Sequence, residues 1–145
     1  MGETDIGHIM DKPITGGCLC GALRYEAGNQ TTFMGYCCCD DCQKTSGSGF
    51  IPFMGLPPGA LKVTGAYKLN QKKQADGRSS ERFHCAECAS LVFGGEPGNP
   101  RGNILYAGTL DDTSLFKPAM AIMTKFKPDW VILPDGLQIF EGMPQ

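Results

Sequence analysis

The segment Cys37-Cys38-Cys39-Asp40-Asp41-Cys42 forms a C-x-C-x-x-C pattern whose first gap holds a further cysteine. Two other pairs accompany it, Cys18-Leu19-Cys20 and Cys85-Ala86-Glu87-Cys88, so all eight cysteines lie in three short clusters. Zinc sites in proteins use about four tetrahedral ligands, and closely spaced thiolates are typical of them. The spacing therefore predicts two zinc ions per chain, one in a closed four-cysteine site and one in a three-cysteine site.

The orientation of Cys38 decides whether the second site is open. Side chains alternate along an extended segment, so Cys37 and Cys39 can converge on one metal while Cys38 points away. We favour the interpretation in which Cys37, Cys39 and Cys42 are the only ligands and the fourth position stays free. In the alternative, Cys38 joins them and closes the site. Spacing alone also leaves the pairing open, because the first cysteine pair could combine with the middle cluster instead of the last pair.

Disulfide bonds and redox chemistry are the competing interpretations of clustered cysteines. Residues 1–12 are polar and acidic and lack the apolar core of a secretory signal. We predict a loose N-terminal leader over these residues and a cytoplasmic location, where thiols stay reduced and clustered cysteine usually binds metal. A thioredoxin-like Cys85-x-x-Cys88 would need a long helix after it, and Gly94, Gly95 and Pro97 leave no room for one.

Short apolar runs separated by glycine and proline predict a mainly β chain. The 145 residues suit one domain, which we place at residues 13–145. We expect one helical turn over residues 40–46 that ends at Gly47. A hairpin is expected over residues 61–69 and an exposed loop over residues 71–77. The predicted strands cover residues 14–20, 22–27, 33–37, 49–54, 61–63, 67–69, 79–85, 91–93, 104–107, 130–133 and 137–140.

Charge and hydropathy argue against two classes of partner. The formal net charge is -2, and Lys72-Lys73 is the densest basic stretch, so the clustered lysine and arginine of a nucleic-acid-binding surface is missing. No stretch approaches the roughly 20 apolar residues of a membrane span. We therefore expect neither nucleic acid nor a membrane as a partner.

Five motifs after residue 12 together resemble the glutathione-dependent formaldehyde-activating enzyme family, to which centromere protein V is also related. The motifs are Gly16-Gly17-Cys18-Leu19-Cys20-Gly21, Cys37-x-Cys39-x-x-Cys42 followed by Lys44-x-Ser46-Gly47-Ser48, Arg82-Phe83-x-Cys85-x-x-Cys88, Ala107-Gly108-Thr109-Leu110-Asp111-Asp112, and residues 130–140. The resemblance implies a zinc-stabilised β-tent of short antiparallel strands. It also implies two ligand sets, a structural one of Cys18, Cys20, Cys85 and Cys88 and a catalytic one of Cys37, Cys39 and Cys42.

The activity that this resemblance implies is that of a carbon–sulfur lyase, which condenses glutathione with formaldehyde to S-(hydroxymethyl)glutathione. The ligand chemistry agrees, because three thiolates around one zinc favour a soft sulfur as the fourth ligand over polarised water. Glutathione or another small thiol and a small aldehyde are thus the expected partners. Lys44 and the turn of Ser46, Gly47 and Ser48 are the predicted contacts for glutathione carboxylates, and Arg82 is a weaker candidate.

A non-catalytic zinc module that binds a thiol metabolite or a protein is the alternative function. The chain departs from the family pattern at several positions that do not supply zinc ligands. Cys38 stands where histidine is common, Gln43 where arginine is common, and Ala89 where glycine is usual. Trp130 is the only tryptophan, and we expect it to pack in the core or at an interface and not to stack on a ligand.

Overall fold

Short strands dominate the regular structure, as the sequence predicts. The computed structural model describes residues 9–75, 77 and 79–144, and within them it contains eleven strands, one α-helix and three short 3-10 helices. The strands are β1 (Thr15–Gly17), β2 (Arg24–Glu26), β3 (Met34–Cys37), β4 (Ile51–Leu56), β5 (Lys62–Thr64), β6 (Tyr67–Lys73), β7 (Ser79–Cys85), β8 (Leu91–Gly94), β9 (Asn103–Tyr106), β10 (Met120–Ile122) and β11 (Gln138–Ile139). The helix is α1 (Asp40–Ser46), and the 3-10 helices are Ala107–Thr109, Thr113–Leu115 and Thr124–Phe126.

The strands form two sheets. One sheet has the order β1-β2-β5, and the other has the order β11-β10-β3-β4-β9-β8-β7-β6. The neighbouring strands pair antiparallel except at β10, which runs parallel to both β3 and β11. Parallel neighbours require a crossover connection, and residues 107–119 supply it by carrying the chain from β9 past β3. The expectation of antiparallel strands therefore holds for the sheets except at this edge.

One face of the larger sheet carries the core. A single cross-strand row joins Met34, Met54, Leu105, Phe93 and Phe83 on five neighbouring strands. Each of these side chains is almost fully buried, and burial of such a side chain contributes about 1.5–3 kcal/mol. The smaller sheet and its flanks cover this face with Ile14, Leu23, Tyr25, Ala27 and Leu61.

The opposite face of the larger sheet carries Cys37 and Arg82. Because side chains alternate along a strand, the residues one step away from the core row all lie on this second face. Gly35, Phe53 and Tyr106 form one row there. Ile104, Gly94 and Arg82 form the next. Cys37 lies opposite Ile51 on the same face, so the register alone places a cysteine ligand and a buried arginine on one surface.

The predicted hairpin over residues 61–69 is wrong. β5 pairs with β2 in the smaller sheet, whereas β6 pairs with β7 in the larger one. The chain changes sheets at Gly65, which has a φ of 107°, and a Cβ there would lie 2.1 Å from the carbonyl oxygen of Ala22. Only glycine allows both this conformation and this close approach.

Three other local predictions differ from the structure. β6 continues through Lys73 into the predicted loop, because an edge strand can be polar on both faces. β10 was not predicted, since its three residues leave too short a pattern. Residues 130–133 form no strand, and Trp130 is 71% exposed, so it does not pack in the core.

The predicted helix is confirmed over its full length. Gly47 ends α1 in the left-handed conformation, with a φ of 69°, and its N–H donates to the carbonyl of Gln43. Ile9 and Met10, in the predicted leader, contact the body of the chain through Gln30 and Asn29. Residues 1–8, including His8, lie outside the described residues. Within the described part of the chain, no helix has the length and apolar character needed to cross a membrane.

Ala89 allows a stability test of the fold. Its φ is 64°, a left-handed conformation that costs an L-residue roughly 1–2 kcal/mol relative to glycine. Its N–H closes the Cys85–Cys88 turn by donating to the Cys85 carbonyl at 3.0 Å. Glycine adds entropy to the unfolded chain, which offsets part of this gain. We expect Ala89→Gly to raise the free energy of unfolding by about 0.5–1 kcal/mol in urea titrations.

The matched control is Ala66→Gly, at an exposed position without a positive φ. It should lower the free energy of unfolding, because only the unfolded-state entropy changes. Equal destabilisation by both variants would contradict the strain assigned to Ala89.

Candidate metal centres

Four cysteines from distant parts of the chain form the first cluster. The sulfur atoms of Cys18, Cys20, Cys85 and Cys88 all lie within 4.8 Å of one another. This geometry answers the question of pairing that the spacing left open. Such a set of thiolates suits a soft or borderline metal such as zinc and not the hard cations magnesium and calcium.

Backbone hydrogen bonds hold the sulfurs of the first cluster in place. The N–H groups of Glu87 and Cys88 point at Cys85 Sγ, at 3.3 and 3.4 Å, and the N–H of Leu23 points at Cys18 Sγ at 3.2 Å. These donors favour the thiolate form, which is the form that binds metal. Cys18 follows β1 in the smaller sheet and Cys85 ends β7 in the larger one, so a metal held here would link the two sheets.

The second cluster consists of Cys37, Cys39 and Cys42, with the three sulfur atoms within 4.8 Å of one another. Cys37 ends β3, and Cys39 is the N-cap of α1, where its sulfur accepts the N–H of Cys42 at 3.3 Å. A helix N-terminus favours negative charge, which suits a thiolate at the cap. The C-x-x-C spacing thus follows from one turn of helix that returns Cys42 to the cap.

Cys38 lies outside this cluster. It is fully buried, its N–H donates to the Ile122 carbonyl at 3.1 Å, and its carbonyl accepts the side-chain amide of Gln43 at 2.9 Å. The same amide also donates to the Phe126 carbonyl at 2.9 Å. Because the backbone stays extended through Cys39, side chains alternate from residue 37 to residue 39. Cys38 therefore points away from the side on which Cys37 and Cys39 lie. The described residues therefore bring three cysteine sulfurs together at the second cluster and no fourth.

Arg82 provides positive charge beside the second cluster. Its side chain is 8% exposed, and Nη2 lies 3.6 Å from Cys42 Sγ. A buried guanidinium needs a negatively charged partner, and a thiolate can serve as one. In the sequence Arg82 was only a weaker candidate for substrate contact; the structure places it at the sulfur ligands.

The three thiols of the second cluster titrate differently because they bond to one another. Hydrogen bonds with Cys37 and Cys42 lower the pKa of Cys39, so this thiol is the one that ionises first. The hydrogen bonds with Cys39 and Cys42, together with burial, raise the pKa of Cys37. At Cys42 the bond with Cys37 lowers the pKa, but the bond with Cys39 and burial outweigh it and raise the pKa to about 11.

A groove of about 1270 Å³ opens beside the second cluster on the second face of the larger sheet. Its volume exceeds the roughly 300–1,000 Å³ of a typical small-molecule site. Cys37, Cys39 and Cys42 line it together with Arg82, and its other walls are both polar and apolar. The other lining residues include Arg101, Asn103, Tyr106, Ile51, Phe53, Met120, Ile122 and Met123.

The predicted substrate contacts lie at the other end of α1. Lys44 is exposed in its last turn, and Gly47 is its C-cap. Ser46 Oγ donates to the Cys42 carbonyl at 2.7 Å and accepts the N–H of Ser48 at 3.1 Å. None of these four residues is among those that line the groove. Their role in binding stays a prediction.

Arg101 and Tyr106 are groove residues that sequence reasoning missed. The strand that contains Tyr106 was predicted, but its face was not, because the register against β4 and β8 depends on contacts far away in the sequence. Arg101 lies in a glycine-rich loop that has no periodic pattern. The alternation along β9 indicates only that Ile104 and Tyr106 share a face of the strand. To assign that face to the groove, one must already know a residue of a neighbouring strand that lies there.

A comparison with family profiles identifies one family. The sequence profile described as "Glutathione-dependent formaldehyde-activating enzyme" matches residues 13–126. Among solved structures, the chain is similar to a protein of Rhodobacter sphaeroides from a structural genomics programme, with a TM-score of 0.53 and 19% identity, over 72% of this chain and 96% of that chain. At this identity the likeness supports the fold alone. The comparison with curated proteins found no match.

The opposed pKa shifts predict proton release when metal binds to the second cluster. Below the raised pKa values, Cys37 and Cys42 stay protonated while Cys39 is ionised, so a metal must displace about two protons. Affinity should therefore fall as the pH falls, by about 100-fold per pH unit between roughly pH 6 and 8. Competition titrations of the second zinc with a chromophoric chelator at several pH values measure this slope.

Arg82→Gln should shift the dependence of zinc affinity on pH to higher pH, because it removes the positive charge that favours the Cys42 and Cys39 thiolates. Arg101→Gln, which removes a guanidinium elsewhere in the groove, should leave the curve in place. A flat pH dependence in the wild type would contradict the titration behaviour described above.

Proposed function

Since the chain belongs to the glutathione-dependent formaldehyde-activating enzyme family, we propose that it is a zinc-dependent carbon–sulfur lyase with two zinc ions per chain. It adds the thiolate of glutathione to formaldehyde or to another small aldehyde, and it catalyses the reverse reaction as well. Free cysteines throughout the chain suit work in the reducing cytoplasm.

The observation that supports this proposal most directly is the three-sulfur cluster at the wall of the groove. Zinc bound there by Cys37, Cys39 and Cys42 would lower the pKa of a thiol that takes its fourth position. Formaldehyde is electrophilic, and the nucleophile that it needs is the thiolate, which is scarce at pH 7 for a thiol of ordinary pKa. The reaction therefore requires a thiolate at neutral pH, and zinc with a free coordination position could supply it.

Charge balance favours a thiol over water as the incoming group. Three thiolates outweigh the charge of a divalent metal, and the Arg82 guanidinium beside Cys42 offsets the excess. A site with this many sulfur ligands is a weak Lewis acid, and it prefers soft donors. Addition of sulfur to a carbonyl fits this site better than hydrolysis by an activated water.

Glutathione also needs partners for its two carboxylates. Arg101 lines the groove and is exposed, so its guanidinium is free to pair with one carboxylate in a forked geometry. For the other carboxylate we retain the segment that includes Lys44, Ser46, Gly47 and Ser48. This segment follows Cys42 in the sequence and lies at the C-terminal end of α1.

The test is whether zinc-loaded protein accelerates the exchange between glutathione, formaldehyde and S-(hydroxymethyl)glutathione. NMR exchange spectroscopy measures the exchange rate, which should exceed the spontaneous rate without protein. Cys42→Ser should abolish the acceleration and release one of the two zincs, because it removes a ligand of the open site only. Far-UV circular dichroism should stay unchanged.

Cys38→Ala is the matched control, since it removes a buried thiol outside the cluster; it should keep both zincs and the acceleration. A wild-type protein that carries two zincs and binds glutathione without accelerating the exchange would overturn the proposal and support the non-catalytic module instead.

A further inference from the structure

The hydroxyl of Tyr106 has no hydrogen-bond partner among the described residues, although it lies in the groove. Tyr25, by contrast, bonds to Thr109 Oγ1 at 2.8 Å. Burial raises the pKa of Tyr106 well above its usual range, so its proton is retained at neutral pH. Tyr106 is half-buried and lines the groove, so its hydroxyl is available to a ligand that binds there. The structure therefore leaves a protonated donor at the groove.

Register places this hydroxyl on the surface that carries the cysteine ligands. Tyr106 lies opposite Phe53 on β4, whose neighbour on the same face is Ile51, and Ile51 lies opposite Cys37. On the other side, β8 presents Gly94 to the same face. A Cβ on Gly94 would come within 3.0 Å of Tyr106 Oη, so the missing side chain makes room for the phenol.

Arg82 completes the connection between Tyr106 and the second cluster. It lies opposite Gly94, and its Nη2 is 3.6 Å from Cys42 Sγ. The phenol of Tyr106 thus lies on β9, the guanidinium lies on β7 across Gly94 of β8, and the sulfur that the guanidinium faces belongs to Cys42 in α1. The guanidinium also lowers the pKa of Tyr106, although burial outweighs it.

Thiol addition to an aldehyde requires a proton at the carbonyl oxygen. The sulfur electron pair forms the new carbon–sulfur bond, the carbonyl π pair moves to oxygen, and that oxygen must gain a proton to become the hydroxyl of the product. We infer that Tyr106 is the catalytic proton donor to the aldehyde oxygen, an inference that rests on the lyase activity proposed above. The phenolate left behind takes a proton from solvent, which replaces the proton that the thiol lost on ionisation.

Other polar groups in the groove are less suited to this step. Arg82 stays protonated throughout and faces Cys42. Asp41 is bound by Lys72 and Gln74, which lower the pKa of its carboxyl, so it carries no proton at neutral pH. In the reverse reaction Tyr106 would first give its proton to solvent and then accept the hydroxyl proton as the carbon–sulfur bond breaks.

Tyr106→Phe tests the inference in zinc-loaded protein. We expect kcat in the NMR exchange assay to fall by about 10²–10³-fold, the usual cost of removing one donor to a developing oxyanion. KM for glutathione and zinc content should stay unchanged. Tyr36→Phe is the matched control, because Tyr36 precedes Cys37 but packs between Phe50 and Phe116 away from the groove; it should keep the wild-type kcat.

Binding gives a second readout that does not depend on turnover. Calorimetry measures the affinity for S-(hydroxymethyl)glutathione, kept intact by an excess of formaldehyde, and for S-methylglutathione. Tyr106→Phe should lower the affinity for the first ligand and leave that for the second unchanged, because only the first ligand carries the hydroxyl. If Tyr106→Phe folds poorly, Gly94→Ala serves instead, since the added Cβ displaces the phenol and should also lower kcat.

Wild-type kcat in Tyr106→Phe, or a change confined to KM, would overturn the role of Tyr106 while the lyase activity stands. Absence of acceleration by the wild type would overturn the lyase activity itself, and the inference with it.

Discussion

Alternation of side chains along extended backbone is the constraint on which the structure depends. In the larger sheet it sends the row from Met34 to Phe83 into the core and the adjacent rows to the groove. The same alternation continues past the end of β3, where it turns Cys37 and Cys39 toward Cys42 and leaves Cys38 buried elsewhere. A shift of one residue in the register would exchange core and site together.

The two cysteine clusters meet different physical demands. The first lies where the two sheets approach each other, and its four sulfurs leave no position for a further ligand, so it suits a role in stability. The second lies on the groove face, with three sulfurs, a helix N-terminus at Cys39 and the Arg82 guanidinium beside Cys42. These groups stabilise thiolates in a partly buried site, which is the state that both metal binding and thiol chemistry require.

Local signals predicted much of this arrangement. The cysteine spacing predicted a three-cysteine cluster, and the family resemblance implied the pairing of the other four cysteines that the structure brings together. Gly47 as a stop residue predicted the end of α1. Contacts distant in sequence decided the rest. Gly65 moves the chain between sheets, so β5 and β6 do not form a hairpin, and the parallel strand β10 depends on a crossover. Arg101 and Tyr106 reach the groove only through the register of β9 with its neighbours, which no local pattern reveals.

A metal at the second cluster would keep one coordination position free for the sulfur of a substrate. Zinc-edge X-ray absorption on the protein with selenium-substituted glutathione measures this directly, because selenium and sulfur scatter differently. The account predicts a selenium scatterer at bonding distance from zinc in the wild type and its loss in Cys42→Ser. A zinc environment that the ligand leaves unchanged, in protein that still accelerates the reaction, would contradict the account.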